Sequence, residues 1–264
     1  MPKSELTYDG YLKLDTLLAC QSPLSSEHDE LLFIVIHQAA ELWLKLTLHE
    51  LGAVRRLIGA DDLSPAFKML ARTARVQAQL IQSWEVLSTM TPTDYVRLRE
   101  HLGSSSGFQS YQYRLLEFVL GAREGKMVDI HEGVPAHAAD LRAELARPSL
   151  YDEALRLLSR RGLAVPAAVL ERDFAEPYAP DAGVEACWAE IYNNPDRYWD
   201  LYDLAEKLMD VEHHVQLWRF GHIKAVERII GFRRGTGGST GVAYLNSVLT
   251  KGFFPELLSV RTIL

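Results

Sequence analysis

Residues 201–230 read LYDLAEKLMDVEHHVQLWRFGHIKAVERII. One apolar stripe runs through them: Leu201, Ala205, Leu208, Val211, Val215, Trp218, His222, Ala225 and Ile229. Every step is three or four, the spacing of one face of an α-helix. His222 stands where that face expects a leucine. Residues 29–46, DELLFIVIHQAAELWLKL, repeat the pattern, with His37 on a stripe that holds Phe33, Ala40 and Leu44. An imidazole on an apolar face leaves water and needs a hydrogen-bond acceptor, a buried water or a metal. For either histidine alone, a hydrogen-bonded core residue is the plainer reading. Two of them on two long helices make a shared site worth testing.

Outward from these stretches the chain reads as helix after helix, with almost no period-two alternation. The pattern predicts helices over 6–20, 28–57, 63–89, 93–101, 109–121, 149–162, 166–172, 183–193, 195–231, 241–251 and 254–258. Thr91 before Pro92 looks like an N-cap followed by a first-turn proline. Asn194-Pro195 is expected to open the second long helix and Gly231 to close it. Residues 122–150, rich in Gly, Ala and His, read as a peripheral excursion. No repeat or linker divides the chain. The expectation is one all-α domain over 1–264, a helical bundle around two long central helices.

Composition narrows the function. The chain has 264 residues, 48% of them hydrophobic, enough for a substantial core. A net charge of -7 and a pI near 5.7 leave no basic face for nucleic acid. Two cysteines, Cys20 and Cys187, suit a reducing cytosol, so a cytoplasmic protein is expected. The first residues, MPKSELTYDGYLKLD, carry charges where a signal peptide needs an apolar run. No stretch of about 18 uninterrupted apolar residues occurs, so no membrane partner is expected.

Several chemistries fall away on spacing. There is no CxxCH, CxxC or HExxH, and no GxSxG nucleophile elbow. His28-Asp29-Glu30 offers an H-x-E spacing for non-haem iron, but acids at a helix start commonly serve its dipole. The glycine-rich run RGTGGSTG, 234–241, is neither a Walker loop nor GxGxxG. It reads as a flexible connector or as a lid over a small polar ligand. LGSSSGFQS, 102–110, is a second such loop. Haem held by one helical histidine, with another over its opposite face, fits better. That site needs an apolar slot in a bundle, aromatic walls and cations for the propionates, and the sequence has all three.

The blocks LTYDGYLKLDTLL, DELLFIVIHQAAELWLKL, SSGFQSYQYRLLEF, DRYW, LWRFGHIKAVERIIGFRRGTGGSTG and FFPELLSVRT together resemble the tryptophan 2,3-dioxygenase family. The resemblance is in register from about residue 6 to residue 262. It implies a helical, cytosolic, homotetrameric enzyme carrying b-type haem, ferrous when active. Such an enzyme inserts both atoms of O2 across the indole C2–C3 bond of L-tryptophan to give N-formylkynurenine.

The resemblance also implies roles. His222 matches the axial haem ligand. His37 matches the distal histidine that accepts a hydrogen bond from the indole N–H, and Phe33 an aromatic wall. Tyr95 and Arg99, four apart on one helix face, match the pair holding the substrate carboxylate. Leu102, Ser106 and Gly107 match the pocket lining and the haem-side loop. Thr236 matches a contact to the substrate amino and carboxyl groups. Tyr8, Tyr11 and Leu12 match an N-terminal segment, within 1–20, that completes the pocket of a neighbouring subunit.

The sequence departs from the family's habit at Ala39 and Ala40, after His37-Gln38, and it ends soon after Thr262. These departures leave open a relative oxygenating a substituted tryptophan, even as a monooxygenase. A non-catalytic haem sensor on the same helices is the other alternative.

Overall fold

The structure, a computed structural model, describes residues 6–238 and 240–264. It begins with two short helices, α1 (Tyr8–Leu12) and α2 (Leu14–Leu17). The single helix expected over 6–20 is therefore broken. Lys13 sits between the pieces at φ 55, in the left-handed region that a helix interior cannot use. Neither piece buries a residue. With no side chain buried, so short a helix gains too little to run on.

Next come α3 (Asp29–Gly59) and α4 (Leu63–Leu87), a hairpin joined by a tight turn. Arg72 of α4 pairs with Glu50 of α3 at 2.8 Å. Among the described residues α3 is the one helix long and apolar enough to cross a membrane. It packs within the bundle, along α4, α6 (Tyr111–Leu120) and α8 (Leu150–Arg160). Between α4 and α6 lies α5 (Pro92–Leu102). Thr91 accepts from the Asp94 backbone while Asp94 accepts from the Thr91 backbone, the reciprocal cap that its sequence suggests.

The segment expected to be peripheral is not. It holds α7 (Pro135–Leu145) and a 3-10 turn over Gly125–His131. Met127, Val128, Ala138, Leu141 and Leu145 bury themselves against Phe118 as a second small core. Arg123 is buried there, donating to the carbonyls of Glu144 at 2.6 Å and Arg147 at 2.8 Å. The short apolar spacing hid this, because the residues converge from three elements rather than one face.

After α9 (Ala167–Leu170) and α10 (Ala182–Asn193) comes α11 (Trp199–Ile229). It starts four residues later than Pro195 suggested, with Tyr198 as its cap. Two short helices, α12 (Val242–Leu249) and α13 (Pro255–Ser259), end the chain. α13 is tied down by Glu256, which accepts from the Tyr151 hydroxyl at 2.8 Å and the Asp181 backbone at 2.7 Å.

α4 packs along both α3 and α11. Gln77 Nε2 reaches the Val211 carbonyl at 3.4 Å and Trp84 Nε1 the Trp218 carbonyl at 3.0 Å. Higher number meets higher number, so α4 and α11 run in the same direction. α3, turned back on α4, runs against both. The start of α3 and the end of α11 thus share one end of the bundle, and His37 and His222 with them.

Candidate functional site

That end is hollow. Its cavity opens to solvent. Phe33 and His37 come from α3, Tyr95 from α5, and Trp218, His222 and Ile229 from α11.

The two histidines differ in chemistry. His37 Nδ1 lies 2.7 Å from the Phe33 carbonyl, one turn earlier. A carbonyl oxygen only accepts, so Nδ1 carries the proton and Nε2 keeps a free lone pair. Burial lowers the pKa of this ring, against the opposing pull of the Phe33 carbonyl and Glu41, and favours the neutral form. His37 is therefore an acceptor beside the cavity. Phe33 lies 4.2 Å from it and 6.5 Å from Tyr95, centre to centre, forming one aromatic wall.

His222 has no hydrogen-bond partner among the described residues, and burial, with the nearby His37, holds its pKa down to about 4. Its ring stacks on Trp84 at 4.7 Å with planes 8° apart. Trp84 can come this close only because residue 221 is glycine, where a Cβ would lie 2.7 Å from Trp84 Cδ1. A neutral imidazole with no partner, facing a cavity, is what a metal of intermediate softness requires.

Another wall is charged. Arg219 donates to the Tyr113 hydroxyl at 3.0 Å and to Glu117 at 2.9 Å. Arg114 also pairs with Glu117. All three ionic side chains are buried. Two guanidiniums against one carboxylate leave an excess positive charge on the cavity wall. Burial, with Glu117 beside it, pushes the Tyr113 hydroxyl well above its ordinary pKa.

Two loops form the mouth. Thr236 donates to the Ser105 carbonyl. Gly237 lies so close to Ser106 that a Cβ would come within 2.7 Å of the serine Cβ. Arg99 Nη2 donates to the Arg234 carbonyl at 2.7 Å, tying α5 to the same loop. Arg99 Nη1 is buried without a partner among the described residues. Ser239, in this loop, lies outside the described residues.

The structure gathers Phe33, His37, Tyr95, Leu102, Ser106, Gly107, His222 and Thr236 around one cavity. Arg99 lies instead beside the adjoining depression, which shares Tyr95 with the cavity. Tyr8 and Tyr11 are 74% and 70% exposed and line neither. Ala39 and Ala40 do not line the cavity, and Ala40 packs on the main core. The H-x-E triplet comes apart, because Glu30 accepts from the backbones of Leu24 and Ser25, both at 2.7 Å. Sequence reasoning missed Trp84, Arg114, Glu117 and Arg219. The available signal was charged residues at helical spacing inside apolar runs, as in YRLLEF.

The cavity suits a large planar macrocycle. It offers an unbonded histidine, aromatic and aliphatic walls, and a cationic edge for carboxylates. Fold and site together define an all-α protein with an unlike pair of histidines in one cavity. A sequence model of the family described as tryptophan 2,3-dioxygenase matches residues 1–134 and 189–264. The protein named tryptophan 2,3-dioxygenase in Erythrobacter litoralis is 64% identical over 258 residues, covering 98% of each chain. One from Bacillus cereus is 54% identical over 260 residues, 98% of this chain and 93% of its own. The one from Cupriavidus necator is 53% identical over 258 residues, 98% and 88%. The chain belongs to the tryptophan 2,3-dioxygenase family. All the cavity-lining residues fall within the two matched stretches.

Proposed function

We propose that this chain is a haem-dependent dioxygenase converting L-tryptophan and O2 to N-formylkynurenine. The carrying observation is the unlike pair of histidines, one unbonded and one fixed as an acceptor. His222 would hold haem b, with the buried Arg114 and Arg219 near enough to the cavity to neutralise propionates. Bound ferrous haem would supply activation of O2, which no side chain here can provide.

The protein's own residues do the rest. His37 Nε2 accepts the indole N–H and sets the plane of the ring. Phe33 walls the indole, and Leu102 adds apolar surface. Tyr95, Arg99 and Thr236 hold the amino-acid end. The partnerless Arg99 Nη1 supports this role, since a carboxylate would complete its bonding. Ser106 and Gly107 lie at the haem-side loop. The exposed Tyr8, Tyr11 and Leu12 belong to a segment that docks in a neighbouring subunit of a homotetramer. A cytoplasmic setting fits the two free cysteines.

The departures at Ala39 and Ala40 lend no support to a pocket widened for a substituted tryptophan, because neither residue borders the cavity. The test is product mass from tryptophan in isotopically labelled O2. Two heavy oxygens are expected. One would overturn the reading in favour of a monooxygenase. No product from fully haem-loaded protein would overturn it in favour of a sensor.

A further inference from the structure

Two helical histidines of this chain make a hydrogen bond that His222 does not. His37 Nδ1 lies 2.7 Å from the carbonyl of Phe33, and His214 Nδ1 lies 2.7 Å from that of Asp210. Each uses the carbonyl one turn earlier. That oxygen also accepts the histidine's own backbone N–H, as every interior helix carbonyl does. Two lone pairs serve both donors. For His222 the corresponding carbonyl is Trp218, and its second lone pair is taken by Trp84 Nε1 at 3.0 Å. The same indole stacks on the His222 ring with planes 8° apart. Gly221 makes the approach possible, since any Cβ there would collide with Trp84.

We propose that Trp84 is a positioning residue for the axial histidine. Its N–H shuts His222 Nδ1 out of the Trp218 carbonyl, and its face fixes the plane of the imidazole. The proposal rests on His222 as the haem ligand. A ligating histidine that donates to a carbonyl becomes a more basic ligand. By withdrawing that carbonyl, Trp84 keeps His222 a weaker electron donor to the iron. A weaker donor favours the ferrous state.

Trp84→Phe keeps a stacking ring and removes the N–H. The Trp218 carbonyl then becomes free for His222 Nδ1. The iron–histidine stretching band of the ferrous protein should rise in frequency, and the reduction potential should fall. Trp84→Ala loses the stack as well, and haem affinity should drop about 10- to 100-fold. His222→Ala separates the two claims. A band that survives His222→Ala sinks the ligand assignment. A band lost in His222→Ala but unmoved, with its potential, in Trp84→Phe sinks the Trp84 proposal alone. Should Trp84→Phe fail to fold, the wild-type protein decides. Its Trp84 indole N–H should exchange slowly with solvent, and the ¹⁵N signal of His222 Nδ1 should lack a carbonyl hydrogen bond. Fast exchange, or a carbonyl-bonded Nδ1, overturns the proposal.

Discussion

Leu201, Leu204 and Leu208 on α11 are at most 1% exposed, sealed against α4 and its neighbours. Further along the same helix, Trp218, His222 and Ile229 border open space. α3 shows the same contrast in reverse. Leu51, Val54 and Ile58 are fully buried, whereas Phe33 and His37 face the cavity. One three-helix core thus has a solid end and a hollow end. At the solid end apolar side chains interlock, with Tyr151 of α8 and Trp188 of α10 buried among them. At the hollow end tryptophans, histidines and a buried charged trio hold the helices apart. On the proposed reading, stability and function are placed in different halves of the same helices.

The contrast is broken most directly by one substitution at each end. Leu208→Ala leaves a void in the sealed half and should cost roughly 2–5 kcal/mol of stability, read by denaturant unfolding of the apoprotein. Its haem spectrum should stay normal. His222→Ala should do the opposite: it abolishes haem binding by absorbance while the apoprotein unfolds nearly as before. Equal loss of apoprotein stability in the two variants would mean the hollow end is part of the structural core after all.

A second test concerns the rim. Arg99→Ala should weaken tryptophan binding by about 2–4 kcal/mol, or about 30- to 1000-fold, because a charged partner is removed from a partly dry site. Tryptamine, which lacks the carboxylate, should lose little in the same variant. If tryptophan and tryptamine respond alike, Arg99 serves only to tie α5 to the Arg234 carbonyl.

The N-terminal segment gives a third test. Its two tyrosines are exposed among the described residues. Hybrids reassembled from Tyr8→Ala/Tyr11→Ala and Arg99→Ala subunits should recover activity that neither parent has. Hybrids with proven subunit mixing that stay inactive would confine the site to one chain.

The smallest effect is in pH. Burial holds the His37 pKa below the ordinary 6.5. Its neutral form is the one that accepts from the indole, so kcat/KM should stay level as pH falls through 6.5 and decline only below it. The unfolded chain takes up its proton first, so His37 also lowers fold stability as pH drops below 6.5. An acid limb at or above 6.5 would assign the control to another group.

The stripes along α3 and α11 were legible in sequence because a helix repeats its contact face every three or four residues. The breaks in that legibility are physical. The helix expected over 6–20 divides at Lys13, and neither piece buries a residue that would hold it to the bundle. Residues 122–150 looked peripheral because their buried side chains gather from separate elements. Trp84 was invisible as a site residue, since an indole on an amphipathic helix reads the same against a core or against a ligand histidine.

Local spacing and residue type, which need only the chain itself, determined the all-α class, the two long helices, and that His37 and His222 each stand on an apolar face. The resemblance of whole blocks carried the family. Tertiary structure alone decided which histidine is hydrogen-bonded and which is left bare. Both lie on apolar stripes with a carbonyl one turn earlier. Only the arrival of Trp84, more than a hundred residues away in sequence, takes that carbonyl from His222. A hydrogen bond goes to whichever donor the fold brings within about 3 Å, and no helical periodicity encodes that distance.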